Sequence, residues 1–171
     1  MYEWRILMDP MPKVSDIMED IFEFPHLPYW FTLRQAIDII RATGEAAGIN
    51  DFPRAILVFD EKYNLLGTLD IRDILRGLDA RFKGLTPETP MPDLASFYGE
   101  DSVSILDHPV SEFMQPAELF IGPDDPVSLA AYYMVVRSRA YLPVLEEKRK
   151  LVGIVKMMSV FNAVTDRLLA E

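Results

Sequence analysis

The sequence predicts a mixed α/β (α+β) protein made of two similar units, each with the element order β-α-β-β-α. Short segments of the first half of the chain recur, in the same order, in the second half. Continuous apolar runs of strand length stand beside segments in which apolar residues have helical spacing. Two units of this size cannot each bury a sheet alone, so we expect them to pack around a pseudo-twofold axis.

Composition excludes several classes of protein. The chain has 171 residues, half of them hydrophobic, and a net charge of −10, which disfavours nucleic acid as a partner. No apolar run approaches the ~18 residues of a membrane span, so we expect no membrane insertion. The absence of cysteine excludes disulfides and thiolate metal sites and fits a cytoplasmic location. No catalytic set, metal-ligand spacing or Gly-rich phosphate loop is recognisable, so we expect no enzyme activity.

The first copy starts with Val-Ser-Asp-Ile-Met at residues 14–18, after a proline-containing lead-in at residues 1–12. Residues 32–41 have helical spacing, and Thr32 is the candidate N-cap. We expect a loop over residues 44–53, which are rich in small and polar side chains.

Two apolar runs and a helix complete the first copy. The continuous run at residues 55–59 is typical of a buried strand. The run at residues 65–69 is a second strand, and Asp70 opens a helix that extends to about residue 78. A strand that leads directly into a helix exposes the unpaired backbone N–H groups of the first helical turn.

The second copy repeats these segments in order. They are Val-Ser-Glu-Phe-Met at 110–114, Ser-Leu at 128–129 (matched to Thr-Leu at 32–33), Leu-Pro-Val-Leu-Glu at 142–146 and Leu-Val-Gly-Ile-Val at 151–155. The spacing between the copies shortens after the first helix, which places an insertion of the first copy at residues 44–52. We therefore divide the chain into a lead-in (1–12), a first unit (13–78), a linker (79–109) and a second unit (110–171). The insertion and the linker are candidate surfaces for a partner.

The ordered set of motifs resembles a tandem pair of CBS domains, the module named after cystathionine β-synthase and also called a Bateman module. The resemblance implies a stand-alone regulatory module, not an enzyme, that binds an adenosyl ligand in clefts between its two units and signals to an effector protein. It also implies a homodimer, formed through helices such as the apolar one around Tyr132, Tyr133 and Met134.

The resemblance assigns site residues at the start of the last helix of each unit. In the family, a hydroxyl residue after the last strand contacts phosphate, and an Asp three residues later binds the ribose hydroxyls. Asp73 occupies the ribose position of the first unit, whereas Asp70 occupies the phosphate position, where a second carboxylate would repel phosphate. Arg72, between them, is a further candidate ligand-binding residue. On local sequence alone, Asp70 and Asp73 are the two members of a capping box.

In the second unit, Lys156 and Ser159 occupy the same two positions. Lys156 would attract phosphate, whereas Ser159 could make only a weaker hydrogen bond to ribose. A cation is unfavourable at a helix N-terminus, so either Lys156 has an anionic partner or the helix starts later with Ser159 as its cap.

The resemblance leaves two interpretations of the function open. The regulatory ligand would be AMP or ATP or, because Asp70 disfavours phosphate, an uncharged or positively charged adenosyl compound such as S-adenosylmethionine. Alternatively, the departures from the family pattern indicate a structural or protein-interaction module whose ligand sites are degenerate.

Overall fold

The computed structural model describes residues 11–47, 55–79, 82, 86–91, 95, 98–147 and 150–169. The strands are β1 (His26–Pro28), β2 (Ala55–Phe59), β3 (Leu65–Asp70), β4 (Gln115–Pro116), β5 (Tyr141–Glu146) and β6 (Lys150–Lys156). The α-helices are α1 (Leu33–Ala47), α2 (Ile71–Leu78), α3 (Glu100–Ile105), α4 (Val127–Val136) and α5 (Met157–Leu169). Short 3₁₀ turns cover Val14–Asp16, Ile21–Glu23 and Val110–Glu112.

The chain forms two compact units, and their boundaries differ from those of the two sequence repeats. Phe24–Ala117 is one unit, here called the continuous unit. Met1–Glu23 and Glu118–Glu171 together make the other, the discontinuous unit. The first five matched residues of each repeat, 14–18 and 110–114, are here called its opening motif. The opening motif of each repeat therefore packs with the strands and helices of the other repeat. The predicted boundaries at 13–78 and 110–171 describe the sequence repeats, and they stay a prediction. They do not describe the compact units.

The continuous unit is built on a four-stranded sheet of order β1-β2-β3-β4. β1 is parallel to β2, and the β2–β3 and β3–β4 pairs are antiparallel. Every residue of β2 is buried, as its continuous apolar run predicted. Apolar side chains of α1 join the same core, which includes Leu33, Ala36, Ile56, Leu69 and Val110.

The discontinuous unit contains the antiparallel pair β5–β6. Isolated β-bridges take the places that the outer strands β1 and β4 have in the continuous unit. Ile121 pairs with Val144 in the parallel sense, and Glu19 pairs with Ile154 in the antiparallel sense. The core of this unit includes Val14, Met134, Leu142, Val155 and Val160.

The predicted β-α-β-β-α order is confirmed from β1 to α2, and Thr32 caps α1 by accepting a hydrogen bond from the Gln35 backbone N–H. Two local predictions were wrong, and one of two alternatives is excluded. Helix α1 continues to Ala47, because residues 44–47 keep helical hydrogen bonding in place of the predicted loop; residues 48–54 lie outside the described residues. Helix α4 begins at Val127, so the match of residues 128–129 to residues 32–33 is displaced. Helix α5 begins at Met157, so Ser159 is not its cap.

The predicted linker at residues 79–109 contains α3 and belongs to the continuous unit. The backbone N–H of Leu33 donates to the carbonyl oxygen of His108 at 2.9 Å, which ties this end of the linker to the start of α1. Among the described helices, none has both the length and the apolar character needed to span a bilayer.

Candidate functional site

Each unit has a glycine where its last long strand contacts the residues that follow an opening motif. A Cβ on Gly67 would overlap with the carbonyl oxygen of Gln115, and a Cβ on Gly153 would lie 2.9 Å from the carbonyl oxygen of Glu19. Glycine at these two positions therefore allows the backbone to approach the strand closely. The approach brings the side chains of Gln115 and Glu19 to the start of the helix that follows the strand.

The Asp73 cluster, which consists of Asp70, Asp73, Arg76 and Gln115, lies where β3 passes into α2. Asp70 Oδ1 accepts a hydrogen bond from the backbone N–H of Asp73 at 2.9 Å. Asp73 Oδ2 accepts one from the backbone N–H of Asp70 at 3.1 Å. This reciprocal pair is a capping box, so the structural role that the sequence predicted for the two carboxylates is confirmed.

The other carboxylate oxygen of Asp73 also has donors. Gln115 Nε2 donates to Asp73 Oδ1 at 2.7 Å, and Arg76 Nη1 donates to the same atom at 3.3 Å. The Asp73 side chain is only 4% exposed, whereas that of Arg76 is 43% exposed. Three donors thus use three of the roughly four lone-pair sites of this carboxylate, so a ligand that offers two hydroxyls to Asp73 would displace one donor, and the exposed Arg76 is the easier one to displace.

Burial raises the pKa of the Asp73 carboxyl above its ordinary value of 3.8, because the charged form loses hydration. The hydrogen bonds from Gln115 and from the Asp70 backbone act in the opposite direction, and the negative charge of Asp70 adds to the increase. The pKa is raised on balance. Positive charge or additional hydroxyl donors would stabilise the two carboxylates, whereas a phosphate would add further repulsion.

The Glu19 cluster, which consists of Glu19, Lys156 and Ser159, lies where β6 passes into α5. Glu19 Oε2 forms an ion pair with Lys156 Nζ at 2.5 Å. Ser159 Oγ donates a long hydrogen bond to Glu19 Oε1 at 3.5 Å. Lys156 thus has the anionic partner that one of the two sequence-based alternatives required, which explains how a cation is tolerated beside the N-terminus of α5.

The candidate residues fall into two separate groups. Asp70, Arg72 and Asp73 belong to the continuous unit, where Arg72 is exposed on the first turn of α2. Lys156 and Ser159 belong to the discontinuous unit. Within the described part of the chain, no group of three or more acidic or histidine side chains is placed to hold a metal ion.

Sequence reasoning missed Gln115 and Glu19, the residues that complete the two clusters. A signal for them was present, because each follows directly after the methionine that ends an opening motif, Met114 or Met18. The repeat therefore aligned Glu19 with Gln115. It could not show that these residues reach Ser159 and Asp73, because that contact depends on how the opening motifs pack.

Two comparisons with known sequences give different results. A family model for the CBS domain matches residues 110–166. A search of curated protein sequences gives no match.

Solved structures share the fold over most of the chain. CBSX2 from Arabidopsis thaliana is 18% identical with a TM-score of 0.65, covering 92% of this chain and 96% of its own; another structure of CBSX2 is in complex with AMP. A CBS domain-containing protein from Bacillus anthracis str. Ames Ancestor is 16% identical with a TM-score of 0.63, covering 91% and 94%. The cytosolic domain of the Mg²⁺ channel MgtE, in complex with ATP, is 23% identical with a TM-score of 0.58, covering 88% and 48%. Residues 110–166 therefore match the CBS domain in sequence, and the chain has the fold of a tandem CBS pair, as the sequence resemblance predicted.

Proposed function

We propose that this protein is a regulatory module that binds an adenosyl ligand and signals to an effector protein whether the ligand is bound. The observation that carries the proposal is the repeated cluster at the last strand-to-helix junction of each unit. At both junctions, the side chain of the residue that follows an opening motif contacts the third residue of the helix. Structures of this fold in complex with AMP and with ATP support the ligand class.

The charges of the Asp73 cluster support a ligand that presents hydroxyl groups or positive charge rather than phosphate. A carboxylate can accept hydrogen bonds from both hydroxyls of a ribose. Asp70 places a second carboxylate beside Asp73, and Arg76 balances only part of this charge. S-adenosylmethionine combines a ribose with a positive charge, and we propose it ahead of AMP or ATP for the continuous unit. Arg72, exposed on the same helical turn, would contact the outer part of the ligand.

Thermal denaturation with AMP, ADP, ATP, adenosine and S-adenosylmethionine tests the proposal. A ligand at 100 times its dissociation constant should stabilise the protein by about 2.7 kcal/mol. Asp73→Ala should abolish the stabilisation. The matched control is Asp38→Ala, which removes an exposed carboxylate from α1 of the same unit and should leave the stabilisation intact. A ligand response that survives in a folded Asp73→Ala variant would place the site elsewhere.

A specific observation favours the alternative of a structural or protein-interaction module with degenerate ligand sites. Asp73 already accepts hydrogen bonds on both oxygens, and Lys156 is already paired with Glu19. Both clusters are therefore satisfied within the protein. If none of the five ligands changes the melting temperature, this alternative replaces the sensor proposal.

We also propose that the protein acts as a homodimer. Helices α4 and α5 pack against each other and expose apolar side chains that include Tyr132 (57%), Val135 (75%), Phe161 (58%) and Leu168 (66%). An apolar surface of this kind usually marks an interaction site. Light scattering should give twice the chain mass of 19.6 kDa. A monomer mass at micromolar concentration would contradict the dimer.

The same proposal assigns regulation rather than catalysis and places the protein in the cytoplasm. One solved structure of similar fold is the cytosolic domain of a channel, which supports this location. The effector protein would sense a shift between ligand-free and ligand-bound populations, which requires that it bind the two states with different affinity.

A further inference from the structure

Glu19 contacts both groups that could hold an anion at the start of α5. Its two carboxylate oxygens are divided between them, with Oε2 on Lys156 Nζ and Oε1 facing Ser159 Oγ. A phosphate oxygen placed to accept from the same ammonium and hydroxyl groups would meet the Glu19 carboxylate. Two negative charges at such a separation repel each other.

The backbone fixes Glu19 in this position. Its N–H donates to the carbonyl oxygen of Ile154 at 2.9 Å, and the Ile154 N–H donates back to the carbonyl oxygen of Glu19 at 3.0 Å. Ile154 lies on β6, the strand that leads directly to Lys156. The Glu19 side chain is therefore attached to the strand whose end carries its partner. The side chains of Glu19 and Lys156 are each 32% exposed, so solutes can reach the pair.

The equivalent residue of the other unit is neutral. Gln115 follows its opening motif as Glu19 follows the first, and it donates a hydrogen bond where Glu19 accepts one. Glutamine and glutamate have the same shape. The other unit thus has a neutral amide at the equivalent position, and Glu19→Gln changes the charge of the side chain without changing its shape.

We infer that Glu19 is a specificity-determining residue that excludes phosphate from the Lys156 and Ser159 position by occupying it with a tethered carboxylate. The inference rests on the proposed function and deepens it, because it assigns the selection against phosphate to one side chain. With Glu19 in place, the discontinuous unit accepts the neutral or cationic part of a ligand. Without the negative charge of Glu19, an anion that approaches Lys156 Nζ is no longer repelled.

Glu19→Gln tests this inference, with inorganic phosphate and AMP as probes and thermal denaturation and calorimetry as readouts. Phosphate is compared with chloride at equal ionic strength, so that general screening is subtracted. We expect Glu19→Gln to bind both probes roughly tenfold more tightly than the natural protein, or better. Adding Lys156→Gln to the variant should remove the gain. If Glu19→Gln does not fold by circular dichroism, Glu19→Ala takes its place in the same comparison.

The matched control is Glu146→Gln, which makes the same change in net charge on an exposed ion pair with Lys150 in the same unit. It should leave phosphate and AMP binding unchanged. Equal phosphate affinity in Glu19→Gln and the natural protein overturns the inference, and so does an equal gain in Glu146→Gln.

The proposed function and the inference can fail separately. If the natural protein responds to an adenosyl ligand but Glu19→Gln gains no phosphate binding, the inference fails and the proposed function stands. If no adenosyl ligand stabilises the natural protein but Glu19→Gln gains phosphate binding, the proposed function fails and the inference stands.

Discussion

The Asp73 cluster and the Glu19 cluster are built on the same backbone pattern but distribute charge in opposite ways. In the continuous unit, the two helix positions carry carboxylates and the opening motif supplies the neutral amide of Gln115. In the discontinuous unit, the helix positions carry Lys156 and Ser159, and the opening motif supplies the carboxylate of Glu19. In the Asp73 cluster, Gln115 is the donor and the helix carries the acceptor. In the Glu19 cluster, Glu19 is the acceptor, and Lys156 and Ser159 are the donors.

This difference shows which part of each junction is fixed by packing and which part is open to change. The close approach of the backbone requires glycine in both units, because a Cβ would contact a carbonyl oxygen in both. The side chains beside this backbone contact only need to be complementary in charge and hydrogen bonding. A ligand would therefore find similar geometry but different charges in the two units, with an excess of negative charge at the Asp73 cluster and a balanced ion pair at the Glu19 cluster.

The largest effect is expected from the shared glycines. Gly67→Ala should lower the free energy of unfolding by about 3 kcal/mol, because the new methyl group overlaps with backbone. Gly153→Ala should cost less, about 1–2 kcal/mol, because its Cβ would lie 2.9 Å from the Glu19 carbonyl oxygen. Urea denaturation measures both.

Gly122→Ala is the control for the glycine pair, since its Cβ would meet only a side chain, the Asp125 carboxylate at 3.2 Å, and no backbone atom. If Gly67→Ala were as stable as Gly122→Ala, the junctions would not depend on close approach. The proposed common scaffold of the two clusters would then be wrong.

A smaller, pH-dependent effect is expected from Asp73. Its raised pKa means that the folded state binds more protons than the unfolded state between pH 3.8 and the folded value. The contribution of Asp73 to stability therefore falls as the pH rises through this window and is recovered on acidification. Asp73→Asn should remove this component from a plot of unfolding free energy against pH.

Asp107→Asn, at a carboxylate with a 68% exposed side chain, is the control for the change in charge and is measured over the same pH range. An unchanged profile in Asp73→Asn would show that burial at Asp73 does not affect its titration. The electrostatic contrast with the Glu19 cluster would then be smaller than the structure indicates.

The smallest effect is expected from the Glu19 ion pair. Both side chains are about one-third exposed, so water and salt screen the attraction. Lys156→Gln should lower the free energy of unfolding by less than about 1 kcal/mol, and the difference should decrease as salt is added. A salt-independent loss of several kcal/mol would show that the pair is a structural element of the fold, not a pair that an anion could open.

Much of the fold could be predicted because it depends on local patterns. The run at residues 55–59 was recognisable as a buried strand from its apolar side chains, and all of β2 is buried. The capping box at Asp70 and Asp73 was recognisable from their spacing. The end of α1 was not, because Gly44 indicates a helix stop, whereas the strong helix formers Glu45, Ala46 and Ala47 after it continue the helix.

The sequence by itself determined the repeat, the strand-to-helix junctions and the unlike residues at the two candidate positions, since these are properties of spacing and residue type. Only the tertiary structure decided that Gln115 faces Asp73 and that Glu19 faces Lys156. Those contacts join residues far apart in the chain, and they exist because each opening motif packs on the strands of the other repeat. The charge that a ligand would meet is set by these long-range contacts, which no local pattern encodes.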